Sequence, residues 1–236
     1  LQRPEKPVDL YITASVFGDF IRHMSYFNPV KLMETIENFH NTPDRYRLFK
    51  EALEKDEFHR SELCKDEIDF VLSHEKDASL ITNGLENGSL PLRVTHNDTK
   101  LNNILFDAVH RDPLCVIDLD TVMPGSPLYD FGDIIRFGAN TAAEDEEDLS
   151  KVSLDMDLYD NAYTGFINGC GSVLNNTERD MLPVGAKLMT LECGVRFLTD
   201  YLNGDKYFHT TMDNHNLIRC RTQFKLVEDI EKKRNV

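Results

Sequence analysis

The sequence predicts a mainly α-helical domain with a small β insertion. Apolar residues recur at helical spacing from Asp9 onward. Between Leu90 and Asp120 they instead form short runs separated by turn residues, which is typical of strands. Helical spacing returns after Pro127 and continues to the C-terminus. Hydrophobic residues make up 41% of the 236 positions, which is enough to build a sizeable core.

The predicted helix boundaries follow from residues that start or break helices. Prolines at positions 4 and 7 lie in a polar stretch, so residues 1–8 are predicted to be a linker or hinge and residues 9–236 a single domain. Thr42-Pro43 predicts a helix start, because proline is favoured at the first helical position. The predicted helices begin at residue 9 and then span 43–57, 61–73, 78–85, 127–139, 157–173, 177–203 and 213–232.

Three short strands are predicted within the β insertion, at residues 92–94, 103–106 and 114–117. A turn at 110–113 separates the last two strands. Polar residues lie at the strand ends, and catalytic groups often lie on loops that such a scaffold holds in place.

Composition excludes several classes of partner. Acidic residues outnumber basic ones by 41 to 26, and a net charge of −15 disfavours binding to nucleic acid or to anionic membrane surfaces. No apolar run approaches the roughly 18 residues of a membrane span. The five cysteines are scattered and form no C-x-x-C pair, which predicts free thiols in a reducing cytoplasm and no zinc site.

One polar constellation carries specific chemistry. His96-x-Asp98-x-x-x-x-Asn103 has the spacing of a kinase catalytic loop, and Asp118 ends an apolar strand. Phosphoryl transfer from ATP needs a carboxylate for the acceptor hydroxyl and cations for the phosphate oxygens. Asp98 suits the first task, and Asn103 with Asp118 suits Mg²⁺, which prefers hard oxygen ligands. The alternative is that these side chains only make local hydrogen bonds in turns.

On these motifs the chain resembles the aminoglycoside phosphotransferase and choline kinase superfamily. Asn97 replaces the arginine of the protein-kinase H-R-D motif, and residues 117–120 replace D-F-G, so it differs from ordinary protein kinases. The resemblance implies the C-terminal catalytic lobe of the protein-kinase-like fold, with ATP as co-substrate. It also implies that His96 and Asp130 order the catalytic loop.

Segments 38–43, 118–125, 129–133 and 192–201 are similar to the N-acetylhexosamine 1-kinase branch. This closer resemblance implies that ATP and Mg²⁺ are used to phosphorylate the anomeric hydroxyl of GlcNAc or GalNAc. It implies that Phe137, Arg196 and Tyr207 hold the sugar. From the residues alone, an ion pair for Arg196 and core packing for the two aromatic residues are equally open.

Four further polar residues have two readings each. The Asp120 side chain either approaches a second metal ion or only accepts a backbone hydrogen bond. Asp133 and Arg136, one helical turn apart, either line the cleft or form an i,i+3 ion pair. Lys100 either approaches the transferred phosphate or has a solvated side chain.

No Gly-rich loop and no strand with a V-A-I-K-like lysine precedes the catalytic loop. We therefore expect that this sequence begins near the hinge of a kinase-like enzyme, lacks the N-terminal ATP-binding lobe and by itself binds ATP poorly. Choline, aminoglycoside or homoserine kinases are the alternative enzymes, and a truncated pseudokinase that binds a sugar or a protein is the non-enzymatic alternative. The oligomeric state is left open.

Overall fold

The computed structural model describes residues 4–110 and 112–236. These residues form eight α-helices, four short strands and several single 3₁₀ turns. The helices are α1 (Pro7–Met24), α2 (Thr42–Lys55), α3 (Lys65–Ser73), α4 (Leu80–Glu86), α5 (Pro127–Gly138), α6 (Met156–Cys170), α7 (Asn176–Leu202) and α8 (His215–Arg234). The strands are β1 (Arg93–Thr95), β2 (Ile104–Phe106), β3 (Pro113–Val116) and β4 (Met123–Gly125).

The prediction of a mainly helical chain with a small β component is confirmed. The predicted linker at residues 1–8 is too long, because α1 already begins at Pro7. The carboxylate of Asp9 accepts the backbone N–H groups of Glu5 and Lys6, both at 2.9 Å, and thereby caps this earlier start. Residues 1–3 lie outside the described residues.

Two other details differ from the prediction. The helix predicted at 61–73 is a 3₁₀ turn over Ser61–Leu63 followed by α3, which starts at Lys65. Strand β4 was not predicted, because its sequence Met-Pro-Gly has two residues that are rare inside strands. It forms because Val94 of β1 pairs with Pro124 in an antiparallel ladder.

Helix α7 is the central element of the fold. Its 27 residues extend over about 40 Å and pack against α2, α5 and α8. Gly185 lies directly against the backbone carbonyl of Leu128, where a Cβ atom has no room, so α5 and α7 approach closely. Residues of both α5 and α7 line the candidate site described below, so this close contact sets the distance between those two parts of it.

A second close helix pair, α1 and α6, supports the loop that follows β1. Gly165 and Gly169 of α6 face the backbone carbonyls of Tyr11 and Ser15 with no space for a side chain. On α1, Phe17 is fully buried and its ring meets the His96 ring edge-on at 5.2 Å. The α1–α6 contact therefore supports the loop that begins at His96.

The four strands form two separate antiparallel pairs, β1–β4 and β2–β3. In the second pair Ile104 lies opposite Val116. The β1–β2 and β3–β4 connections, residues 96–103 and 117–122, touch each other through the Asn97 side-chain amide and the Thr121 carbonyl oxygen, 3.0 Å apart. Among the described residues, no helix combines the length and apolarity required for a bilayer span.

Candidate active site

The loop after β1 is anchored to the first turn of α5 by one buried carboxylate. Asp130 is fully buried, and its two oxygens accept the backbone N–H groups of His96 at 3.0 Å and Asn97 at 2.7 Å. Its backbone carbonyl accepts the Thr99 hydroxyl at 2.6 Å. Burial raises the pKa of Asp130 above its usual range, although the hydrogen bonds from the two backbone N–H groups oppose this rise.

His96 connects the two loops of the site. Its Nε2 lies 3.0 Å from the carbonyl oxygen of Ile117, and its Nδ1 lies 3.3 Å from the backbone nitrogen of Asp98. Since the first partner is an acceptor and the second is a donor, the ring is the neutral tautomer with the proton on Nε2. This arrangement supports the loop-ordering role predicted for His96 and Asp130.

Asp98 lies at the end of this anchored loop with 22% of its side chain exposed. The Nδ2 group of Asn103 donates to its carboxylate at 3.0 Å and to its backbone carbonyl at 2.8 Å. Lys100 pairs with the other carboxylate oxygen at 2.6 Å, so Lys100 is not the simply solvated lysine that was one of its two readings. Asp98 is thus held at the surface of the loop, between a positive charge and an amide donor.

The predicted metal ligands are neighbours through the β2–β3 pair. The backbone N–H of Ile117 donates to the carbonyl oxygen of Asn103 at 2.9 Å, which holds Asp118 next to Asn103 in the backbone. Asp118 has a left-handed conformation (φ 63°) and is exposed. Asn103 is buried, and its Nδ2 group is engaged by Asp98, which leaves the amide oxygen as the atom that could bind a metal.

An amide oxygen and an exposed carboxylate are the donor types that Mg²⁺ takes, so these two residues fit the ion. Within the described part of the chain, no three His, Cys, Asp or Glu side chains cluster into a complete metal site. Two protein ligands suit Mg²⁺ in phosphotransfer sites, where phosphate oxygens and water supply the remaining positions.

Asp98 and Asp118 open into one cavity of about 620 Å³. Its walls come from the two loops, from α5, α7 and α8, and from the segments before α2, after α5 and after α7. Residues in its lining that the sequence analysis singled out are Asp98, Lys100, Asp118, Asp120, Asp133, Arg136, Phe137 and Arg196. The structure therefore brings together one predicted base, one predicted metal ligand and two of the three predicted sugar residues.

Tyr207 is the third predicted sugar residue, and it lines a neighbouring cavity of about 460 Å³. Arg196 lines both cavities and packs over the Phe208 ring at 5.4 Å. Tyr207 is 75% exposed, so core packing is wrong for this residue. Phe137 is partly buried and faces the larger cavity.

For Asp133 and Arg136 the sequence left open whether they line the cleft or form an ion pair, and in the structure they do both. Their side chains form the i,i+3 ion pair at 2.8 Å, and both line the larger cavity. Arg136 also contacts Glu144 at 3.1 Å. Burial raises the pKa of Asp133, but Arg136 and Lys100 outweigh this and lower it below its usual value. Its second oxygen, Oδ2, is buried without a hydrogen-bond partner.

Asp120 contributes its backbone rather than a buried side chain. Its carbonyl oxygen accepts the Thr35 hydroxyl at 2.7 Å, and its exposed side chain lines the cavity near Asp118. This hydrogen bond involves the main chain of Asp120, so it does not decide between the two interpretations of the side chain.

Residue-by-residue reasoning missed His40 and Glu192, which also line the cavity. His40 Nδ1 lies 3.1 Å from Glu192, and its Nε2 lies 2.9 Å from the carbonyl oxygen of Asn97. Both residues are in segments that resemble the sugar kinases, 38–43 and 192–201, but neither was assigned a role. Their proximity was not visible because 152 positions separate them.

Comparison with known families adds one finding. The model of the phosphotransferase enzyme family (APH) matches residues 18–159, which is more than half of the 236-residue chain. The match includes the predicted catalytic loop, both predicted metal ligands and the Asp133–Arg136 pair.

Proposed function

Because the chain belongs to the phosphotransferase enzyme family, we propose that it is an ATP- and Mg²⁺-dependent kinase for the anomeric hydroxyl of an N-acetylhexosamine. We propose that residues 9–236 form its kinase-like helical catalytic lobe. The observation that carries the proposal is the shared cavity, where Asp98 and Asp118 face the same space as Phe137 and Arg196.

In this mechanism Asp98 is the catalytic base. Its carboxylate accepts the proton of the acceptor hydroxyl, the hydroxyl oxygen bonds to the γ-phosphorus of ATP, and the bond from that phosphorus to the bridging oxygen breaks to release ADP. The contacts from Asn103 and Lys100 orient the carboxylate toward the cavity side of the loop.

The Mg²⁺ ion would be held by Asn103 and Asp118, and it supplies positive charge that neutralises the phosphate oxygens. The backbone bond between Ile117 and Asn103 keeps the two ligand positions together. The left-handed backbone at Asp118 turns the chain out of β3 at this point. Both features support a metal site at the end of the β2–β3 pair.

Hydrogen-bonding groups of the cavity support a polyhydroxyl acceptor. Its lining mixes guanidinium groups with carboxylates, so both donors and acceptors face a bound ligand. The buried, unpartnered Oδ2 of Asp133 needs a hydrogen-bond donor, which a sugar hydroxyl provides. Arg196 offers donors to sugar oxygens.

An acceptor panel with ATP and Mg²⁺ tests the proposal, using enzyme expressed from its full natural reading frame. The panel contains GlcNAc, GalNAc, choline, an aminoglycoside and homoserine, and we expect the highest kcat/KM for an N-acetylhexosamine. Preference for choline, or no turnover of any acceptor, would contradict it.

Replacement of the base tests the assignment of Asp98. We expect Asp98→Asn to lower kcat by about 10²–10⁴-fold, the usual cost of losing a general base. Asp157→Asn, at an exposed position in the first turn of α6, is the matched control and keeps full activity. Near-normal turnover of Asp98→Asn would remove Asp98 from the role.

A further inference from the structure

Both ring nitrogens of His40 face oxygen acceptors. Nδ1 is 3.1 Å from a carboxylate oxygen of Glu192, and Nε2 is 2.9 Å from the backbone carbonyl oxygen of Asn97. A neutral imidazole has one N–H group and can satisfy only one acceptor. Both contacts are hydrogen bonds only if each nitrogen carries a proton, so the geometry requires an imidazolium. His96 differs, because one of its two partners is a donor.

The surroundings of His40 stabilise a positive charge. Its side chain is 8% exposed and that of Glu192 is 1% exposed, so the pair is shielded from solvent. The other oxygen of Glu192 accepts the Thr42 hydroxyl at 2.6 Å. Of the other charged groups, Asp133 on α5 acts on His40, and Arg196 on α7 acts on Glu192.

Burial and the neighbouring groups have opposite effects on the pKa of His40, and the net effect is an increase. Burial lowers the pKa of His40, but the hydrogen bond and charge of Glu192, with help from the Asn97 carbonyl and Asp133, raise it above 6.5. The rings of Phe39 and Tyr129 lie 4.5 and 5.1 Å from the imidazole and hold it in place.

The acceptor on the other side, Asn97, directly precedes the proposed base. Its backbone is left-handed (φ 65°), a conformation that costs energy for a residue other than glycine. Asp130 holds its N–H group, and its side-chain amide binds the Thr121 carbonyl. His40 holds its carbonyl oxygen, so three contacts together maintain the strained peptide that leads into Asp98.

We propose that His40 is a positioning residue: as an imidazolium paired with Glu192, it holds the Asn97 carbonyl and so orients Asp98 for proton transfer. The proposal rests on the proposed function. His40 lines the cavity, but both of its nitrogens are engaged by the protein. It therefore acts through Asn97 and not on the substrate.

The charge state is tested without any substrate. We expect ¹⁵N NMR of the wild-type enzyme at pH 7 to show protons on both ring nitrogens of His40. The same spectrum should show His96 protonated only on Nε2, which provides an internal reference. Assignment uses His40→Gln, with His23→Gln, at an exposed position of α1, as the control. A neutral ring at His40 would overturn the proposal.

The positioning role is tested by two variants that each keep one contact. Glutamine at position 40 places an amide donor near the Nε2 position and can still reach Asn97, whereas asparagine places one near Nδ1 and reaches only Glu192. We expect His40→Asn to lower kcat by about 10²-fold with little change in KM, as misplaced catalytic groups do. His40→Gln should recover most of this loss.

The pH profile supplies a readout that a purely structural role would not move. The wild-type kcat should fall as pH rises through the His40 pKa, and this limb should be absent from His40→Gln. Equal kcat values for His40→Asn and His40→Gln would overturn the proposal. A high-pH limb that is the same in the wild type and in His40→Gln would also overturn it. A doubly protonated His40 in an enzyme that phosphorylates no acceptor would contradict the proposed function while supporting the charged His40–Glu192 pair.

Discussion

The side chain of Asp130 accepts the backbone N–H groups of two consecutive residues, His96 and Asn97, at 3.0 and 2.7 Å. The contact joins the first turn of α5 to the loop that carries Asp98. Both N–H groups are buried, and a buried donor without a partner is costly. The loop geometry therefore depends on this buried carboxylate.

Replacement of Asp130 should separate this anchoring role from chemistry. Asp130→Asn puts an NH₂ donor opposite one of the backbone N–H groups. We expect the free energy of unfolding to fall by about 1–3 kcal/mol, measured by urea denaturation, together with a lower kcat. The control is Asp107→Asn in the exposed turn after β2, where Asp107 accepts the N–H groups of Val109 and His110. Comparable losses in both variants would contradict a special role for Asp130.

The two acidic residues after β3 should differ in their effect on Mg²⁺. Asp118 is the proposed ligand, whereas Asp120 bonds to Thr35 through its backbone carbonyl. We expect Asp118→Asn to raise the Mg²⁺ concentration for half-maximal kcat by at least about 10-fold, and Asp120→Asn to change it less. Titration of activity with MgCl₂ at saturating ATP and acceptor makes the comparison. An unchanged Mg²⁺ requirement in Asp118→Asn would exclude it as a ligand.

The His40–Glu192 pair predicts a defined pH dependence of stability. The pKa of His40 is raised, so its contribution is complete below about pH 6.5 and is lost as pH rises through the folded-state value. Burial raises the pKa of Glu192, but His40 outweighs this and lowers it below 4.5. Its contribution is therefore present above about pH 4.5 and is lost as pH falls through the folded-state value.

Urea midpoints measured between pH 4 and 9 test this window. The stability advantage of the wild type over the double variant His40→Gln/Glu192→Gln should be largest between about pH 4.5 and 6.5 and should decrease on either side. The exposed pair of Arg47 and Glu51 on α2 offers a control, because Glu51→Gln should shift the midpoint little at any pH. An advantage that grows above pH 7 would contradict the assignment of charges.

Helices were predictable because their signals are local. Thr42-Pro43 and Pro127 predicted helix starts to within one residue, since a proline at the first turn acts through its own backbone. Strand β4 was not predictable, because its pairing with β1 depends on a partner about 30 positions away and not on its own residues. Pro7 was assigned to a linker for a related reason: the capping contacts of Asp9 decide where α1 begins.

The residues of the candidate site also divide into those that local sequence predicts and those that it does not. Asp98, Asn103 and Asp118 were recognisable from spacing, because the loop and the paired strands are short and contiguous in the chain. His40 and Glu192 come from a loop and a helix that meet only after α2 packs on α7. The unpaired oxygen of Asp133 was not predictable either, since it depends on the burial of this side chain and on Arg136 pairing with the other oxygen.

By itself, the sequence determined the helical fold class and the positions of most helices, and it supplied the motif at 96–103 on which the proposed chemistry rests, because periodicity, capping and motif spacing are properties of neighbouring residues. The tertiary structure alone decided which charged groups share the cavity with Asp98 and which of them are held by partners. Burial and pairing are set by distant elements that pack together, and they determine whether a polar side chain orders the loop or remains free for a ligand.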